Sequence, residues 1–164
     1  MGKKIAIYGA GTIGACQATL TSGNGYSTVV IGHSEEGLYR CRNTMLQNWN
    51  NLIAQKLATA ANRRAAMDLV TITNDVSALR DCDIVFEAVS EDVNIKQRVY
   101  SIITEVCGRD IIVVSTTSSI DAAILAEKIE NPARFLIAHP FQPVHMLPLV
   151  EVVRHTETSE ETLN

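Results

Sequence analysis

The stretch KIAIYGAGTIG, residues 4–14, decides the fold. An apolar run from Lys4 to Tyr8 has strand character, the glycines at 9, 11 and 14 make a tight turn, and a helical pattern opens directly after them. A strand, a turn and a helix N-terminus in that order aim backbone N–H groups and a partial positive charge at one point, which suits a pyrophosphate. Gly9 permits the turn, Gly11 lets a phosphate approach the backbone, and Gly14 lets the helix pack closely on the strand. Gly9, Ala10, Gly11, Thr12, Ile13 and Gly14 therefore form the candidate cofactor-binding turn, with a dinucleotide as the ligand. The bland alternative is a glycine-rich turn that binds nothing.

Outward from this turn, short apolar strands alternate with helical patterns, which predicts an α/β fold: a Rossmann-like, doubly wound, mainly parallel sheet. The first helix is expected over Thr12 to Ser22, with Ile13, Cys16 and Leu20 on one stripe and Gly23 or Gly25 ending it. A second strand follows at Thr28 to Ile31. Residues Glu35 to Asp68 are too many for one crossover helix. Leu38, Cys41, Met45, Trp49 and Leu52 recur at helical spacing, and a second helix is expected over Thr59 to Asp68, so the region reads as a helical hairpin inserted after the second strand. Core packing and a role in holding a large substrate explain that arm about equally well. Strands are expected at Leu69 to Thr73, Asp83 to Glu87, Ile111 to Val114, Phe135 to Ala138 and Leu149 to Val153. A helix from Glu91 to Val106 is expected to be capped by Ser90, to bury Ile95, Val99, Ile102 and Val106, and to stop at Gly108, and a short one is expected near Asp121 to Ile129. The polar clusters fall just after strand ends, the edge at which open α/β sheets bind ligands.

Composition narrows the partners. Acidic residues outnumber basic ones 18 to 14 and no basic stripe is present, which argues against nucleic acid or an anionic membrane surface. No apolar run is long enough to span a bilayer and no signal-peptide pattern opens the chain, so a cytoplasmic protein is expected. Cys16, Cys41, Cys82 and Cys107 lie far apart without a CxxC pair, which predicts packed, reduced thiols and no metal site.

Two polar residues in the last third are hard to explain as packing. His139 ends the run FLIA and is followed by Pro140, and Glu151 lies within PLVEVV, where an unpaired carboxylate between apolar neighbours is expensive. A carboxylate that accepts from one imidazole nitrogen fixes the tautomer and frees the other for proton transfer, and an unperturbed imidazole titrates near ~6.5. With the serine cluster STTSS at 115–119 on the same sheet edge, a catalytic His139–Glu151 dyad is preferred to a satisfied core histidine.

At these residues the chain resembles the NAD-binding domain of the L-3-hydroxyacyl-CoA dehydrogenase family. The resemblance rests on GAGTIG at 9–14, FEAVSEDVNIKQ at 86–97, STTSSI at 115–120 and HPFQPVHMLPLVEVV at 139–153, and covers about residues 3–155. Family order and spacing are kept, including the separation of twelve positions from His139 to Glu151. The resemblance implies catalytic roles for His139, Glu151 and Ser118. It also implies nicotinamide contacts by Ser118, Glu91 and Lys96, and reversible hydride transfer between nicotinamide and the 3-position of a 3-hydroxyacyl-CoA. The bland alternative for Ser118 is a helix cap, since STTSS precedes a short helix, and capping and substrate binding can share the cluster.

Departures mark where this chain is its own. Gln142 and Thr116 stand where the family carries Asn, so a nicotinamide or substrate contact by Gln142 is made by a longer amide. The acid expected to bind the adenosine ribose is replaced by His33 in IGHSEE, which leaves NAD as the expected cofactor with NADP open. His33, Ser34 and Arg40 are candidate 2′-phosphate partners, opposed by Glu35 and Glu36. HPFQP and PLVE are similar to relatives that oxidise free 3-hydroxy acids of the gulonate or carnitine type, while Lys56, Arg63 and Arg64 on the arm offer partners for a CoA phosphate. Residues 1–164 are expected to be a dinucleotide-binding domain without the family's C-terminal helical domain, which closes the substrate cleft and makes the homodimer. A module that is catalytically silent in isolation is the alternative reading.

Overall fold

In a computed structural model, which describes residues 2–147 and 149–164, the chain forms one seven-stranded sheet with helices on both faces. The elements run β1 (Lys4–Tyr8), α1 (Thr12–Gly23), β2 (Ser27–Ile31), α2 (Glu35–Ala54), α3 (Ala60–Asp68), β3 (Val70–Thr73), β4 (Ile84–Glu87), α4 (Val93–Cys107), β5 (Ile112–Ser115), α5 (Ala122–Ala126), β6 (Phe135–Pro140), β7 (Val150–Arg154) and α6 (Glu160–Leu163). Strand order is β3-β2-β1-β4-β5-β6-β7; the first six strands are parallel and β7 returns antiparallel beside β6. The chain winds outward from β1 through β2 to β3, then crosses back to β4 on the other side. That reversal opens a crevice at the carboxyl ends of β1 and β4. The Rossmann-like expectation, including the hairpin after the second strand, holds.

The central strands are buried on both faces, and alternate side chains serve two cores. Ile7 and Val30 point to α1 and α2, where they meet Ala15, Ala18, Cys41 and Met45. Ala6, Val29 and Ile31 point the other way and join Val99, Tyr100, Ile103, Leu125 and Phe135. Helix α1 is sandwiched between sheet and hairpin, so Gly14 to Thr19 are all buried and the narrow stripe expected for it does not apply; Leu20 is 38% exposed. The hairpin α2–α3 lies against α1, with Trp49, Leu52 and Ala66 in a cluster of their own. A Cβ at Gly23 would stand 3.2 Å from the Trp49 ring, so α1 and α2 approach closely there. The inner stripe of the arm is therefore core.

Four expectations are corrected. Helix α4 begins at Val93 because Asp92, not Ser90, is its cap and accepts from the Ile95 N–H at 3.0 Å. This places Glu91 ahead of the helix and rotates the buried stripe by one residue, to Lys96, Val99, Tyr100 and Ile103, leaving Ile95 45% exposed. Strand β6 continues through His139 and Pro140 instead of ending at Ala138, since β7 pairs with it through Pro140↔Val150. Strand β7 is the sheet edge and every residue in it is exposed, so Glu151 is not buried between apolar neighbours as its sequence context suggested. The short helix α5 also ends earlier than expected, at Ala126, and Asp121 caps it through the Ala123 N–H.

Candidate active site

The glycine turn presents the first turn of α1 to the crevice. Gly9 has φ +132°, and a Cβ there would lie 2.3 Å from the Ala88 carbonyl oxygen; one at Gly14 would lie 1.8 Å from the Gly9 carbonyl oxygen. Both positions exclude a side chain, and together they seat the turn against β4 and the helix against the turn. Gly11 is the N-cap and supplies no side-chain acceptor, so the first N–H groups of α1 keep their hydrogens for a ligand, and nothing lies within 4 Å of a Cβ built on it.

Two cavities flank this turn and share Ala88 and Val89 as a common wall. The smaller, of about 200 Å³, is bordered by Gly9, Ala10, Gly11, His33 and Arg40. The larger, of about 370 Å³, is bordered by Ile13, Glu91, Lys96, Thr116, Ser118, His139 and Gln142. An extended molecule crossing the turn reaches both. Of the sequence-derived cofactor residues, Gly14 is buried behind the turn and Thr12 is exposed, and neither borders either of these two cavities. Glu151 borders a third, adjoining space of about 340 Å³, with Ser118 and His139 common to it and the larger cavity.

The larger cavity is organised by a chain of charges. Glu91 Oε1 accepts from the Thr117 hydroxyl, from the Ser118 N–H at 3.1 Å and from the Ser119 hydroxyl at 3.1 Å, while its Oε2 meets Lys96 Nζ at 3.2 Å. Partial burial opposes ionisation of Glu91, but these hydrogen bonds and the Lys96 ammonium outweigh it and bring the carboxyl down to about 2. Lys96 is 1% exposed and also pairs with Glu87 Oε1 at 2.8 Å. Glu87 is fully buried and saturated: Oε1 also accepts from the Val89 N–H at 2.9 Å, and Oε2 accepts from the Tyr100 and Ser115 hydroxyls, each at 2.8 Å. Burial and the adjacent carboxylate push the Tyr100 phenol up. Sequence reasoning missed Glu87, Tyr100 and Ser115. A carboxylate ending the apolar run IVFE was the available signal.

His139 and Glu151 are directly opposite one another on β6 and β7. Nδ1 to Oε2 is 3.9 Å, longer than a hydrogen bond, with the Glu151 side chain 63% exposed. The imidazole packs edge-on to Phe141, with ring centroids 5.3 Å apart. Ser118 is not the cap of α5; its N–H is tied to Glu91 and it borders both spaces beside His139. At the other end, Arg40 pairs with Glu36, and the Ser34 hydroxyl caps α2 by accepting from the Gly37 N–H at 3.2 Å. On the arm, Arg63 donates to Asn50 at 2.7 Å.

A doubly wound sheet with an uncapped glycine turn, and with charged groups and an imidazole at one end of its crevice, defines a nucleotide-dependent oxidoreductase domain. The chain belongs to the family described as 3-hydroxyacyl-CoA dehydrogenase, NAD binding domain, which matches residues 4–164. It is 34% identical to L-carnitine dehydrogenase of Bacillus cereus over 99% of its own length and 49% of that protein, and 32% identical to a peroxisomal fatty acid beta-oxidation multifunctional protein of Oryza sativa over 98% and 22%. It superposes on (S)-3-hydroxybutyryl-CoA dehydrogenase from Ralstonia eutropha with a TM-score of 0.94 at 29% identity, covering 98% of this chain and 56% of that one. The 3-hydroxybutyryl-CoA dehydrogenase of Escherichia coli gives 0.92 and 29%, over 98% and 34%. The chain thus spans about half the length of its carnitine-oxidising relative and less than a quarter of the rice protein. The family's cofactor is NAD. No helix among the described residues is long and apolar enough to cross a membrane.

Proposed function

We propose that residues 1–164 are the dinucleotide-binding domain of an oxidoreductase that interconverts a 3-hydroxyacyl-CoA and its 3-keto form. The observation that carries this is the joint border of the larger cavity by Glu91, Lys96, Ser118, His139 and Gln142, at the end of the crevice opened by the glycine turn. In this reading Gly9, Ala10 and His33 hold the adenosine half, Gly11, Thr12 and Ile13 face the pyrophosphate, and Glu91, Lys96, Ser118 and Gln142 surround the nicotinamide. Bound NAD supplies the hydride acceptor.

The chain's own residues supply the proton chemistry. Neutral His139 takes the 3-hydroxyl proton during oxidation and returns it during reduction. Glu151, opposite Nδ1, orients the ring and stabilises the imidazolium once the edge is covered and the two approach to hydrogen-bond distance. The Ser118 hydroxyl holds the reacting oxygen, a positioning effect without covalent catalysis. Substrate contacts and dimerisation belong to a further helical domain of the kind that the longer relatives have room for, and the setting is cytoplasmic. A free 3-hydroxy acid is the second reading for the substrate, favoured by the similarity to L-carnitine dehydrogenase across 99% of the chain.

The test is NADH oxidation by the purified chain with acetoacetyl-CoA or 3-dehydrocarnitine as substrate. Turnover with the CoA ester, falling on the order of 10²–10⁴-fold in His139→Ala with NADH affinity kept, supports the first reading. Turnover with the free keto acid alone overturns it in favour of the second. NADH binding without turnover of either identifies a module that is silent in isolation.

A further inference from the structure

We infer that the adenosine end of this chain accepts a 2′-phosphorylated dinucleotide at least as well as NAD, with Arg40 as the specificity-determining residue; this rests on the dinucleotide-binding reading of the glycine turn. Discrimination for NAD comes from a carboxylate about 20 residues past the turn, at the end of the second strand, that accepts from the ribose 2′-OH and repels a phosphate. In this chain the residue directly after β2, and so the place of that acid, is Gly32 and not His33 as the sequence spacing suggested; its N–H donates to the Thr73 carbonyl at 3.0 Å. A Cβ there would stand 2.5 Å from Leu38 Cδ2 and 2.8 Å from Ala10 Cβ, so the space an acid needs is filled by apolar side chains. Among the described residues no carboxylate borders the adenosine-side cavity, whereas His33 and Arg40 do.

Arg40 is the group suited to a phosphate, because a guanidinium presents paired donors to two phosphate oxygens. It now pairs with Glu36, one turn earlier on the exposed face of α2. An exposed pair of this kind is weak and exchanges readily for a doubly charged phosphate. The Ser34 hydroxyl accepts from Gly37 and keeps its own hydrogen for a further acceptor. Glu36 is then a competitor for Arg40, and Glu35, which accepts from Asn74 at 3.2 Å, is the second carboxylate nearby.

Fluorescence titration of the purified chain with NADPH and with NADH tests this without any turnover. The expected result is an NADPH Kd no larger than that for NADH. Arg40→Gln is expected to weaken NADPH about tenfold, near 1.4 kcal/mol, while leaving NADH alone. Glu36→Gln is expected to tighten NADPH. Tighter binding of NADH than of NADPH overturns the inference while the dinucleotide reading stands, as does an Arg40→Gln variant that loses both cofactors alike or neither. Failure to bind either cofactor overturns both.

Discussion

Glu87 and Glu151 are both lone carboxylates in apolar strand sequences near the carboxyl ends of the parallel strands, yet they sit in opposite environments. Glu87 is 0% exposed and takes four donors between its two oxygens. Glu151 is largely in solvent, with its one partner 3.9 Å away. Burial accounts for the difference: removing a carboxylate from water costs several kcal/mol unless its lone pairs are filled, whereas an exposed one is filled by water. The nicotinamide end of the crevice is therefore built in two grades. Glu87 fixes Lys96, Lys96 fixes Glu91, and Glu91 gathers the 117–119 loop with Ser118 in it, through contacts made within the protein itself. The His139–Glu151 side has the strand register but not the closed hydrogen bond.

The sharpest way to break this comparison is Glu87→Ala. It leaves the buried Lys96 ammonium with only the Glu91 carboxylate, and the expected loss is about 3–5 kcal/mol by urea unfolding. A loss under about 1 kcal/mol would mean that the cluster is ornamental. A smaller effect is expected from acid. The Glu91 carboxyl lies at about 2 against an ordinary value of 4.5, so its contribution to stability is complete above pH 4.5 and is lost as pH falls from there through about 2. Thr117→Val removes one of its donors, and melting curves across that window should then fall less steeply than those of the parent. If the two profiles coincide, Thr117 has no hold on Glu91. The smallest effect is expected at the other carboxylate. Glu151→Gln should change stability by no more than about 0.5 kcal/mol, as for most exposed positions. A large loss there would erase the contrast and place Glu151 in a buried pair after all.

The sequence carried the halves of this picture unequally. The glycine turn, the strands β1, β2, β4 and β5, the hairpin and the Gly108 stop of α4 were legible because each is written in consecutive residues. The start of α4 was not, because Ser90 and Asp92 are both good caps two residues apart and only the backbone path chooses between them. The role of β7 was misread for a related reason: PLVEVV has the composition of a strand covered on both faces, and composition does not tell an edge from a centre. The Glu87 cluster was invisible because its donors come from Val89, Lys96, Tyr100 and Ser115, which lie 2, 9, 13 and 28 residues along the chain and meet only when β4, α4 and β5 are assembled. His139 and Glu151 stood out as polar residues in apolar strand sequence, whereas Glu91, Lys96 and Ser118 were found by resemblance, and all but Glu151 border the same cavity.

The single tryptophan of the chain, Trp49, is 4% exposed and belongs to the hairpin cluster, well removed in the sequence and in its packing partners from the crevice. The arm consequently carries its own optical reporter. Indole emission therefore follows whether the hairpin stays docked on α1, and in the absence of nicotinamide, whose reduced ring absorbs where indole emits, it reports loosening of the arm by itself.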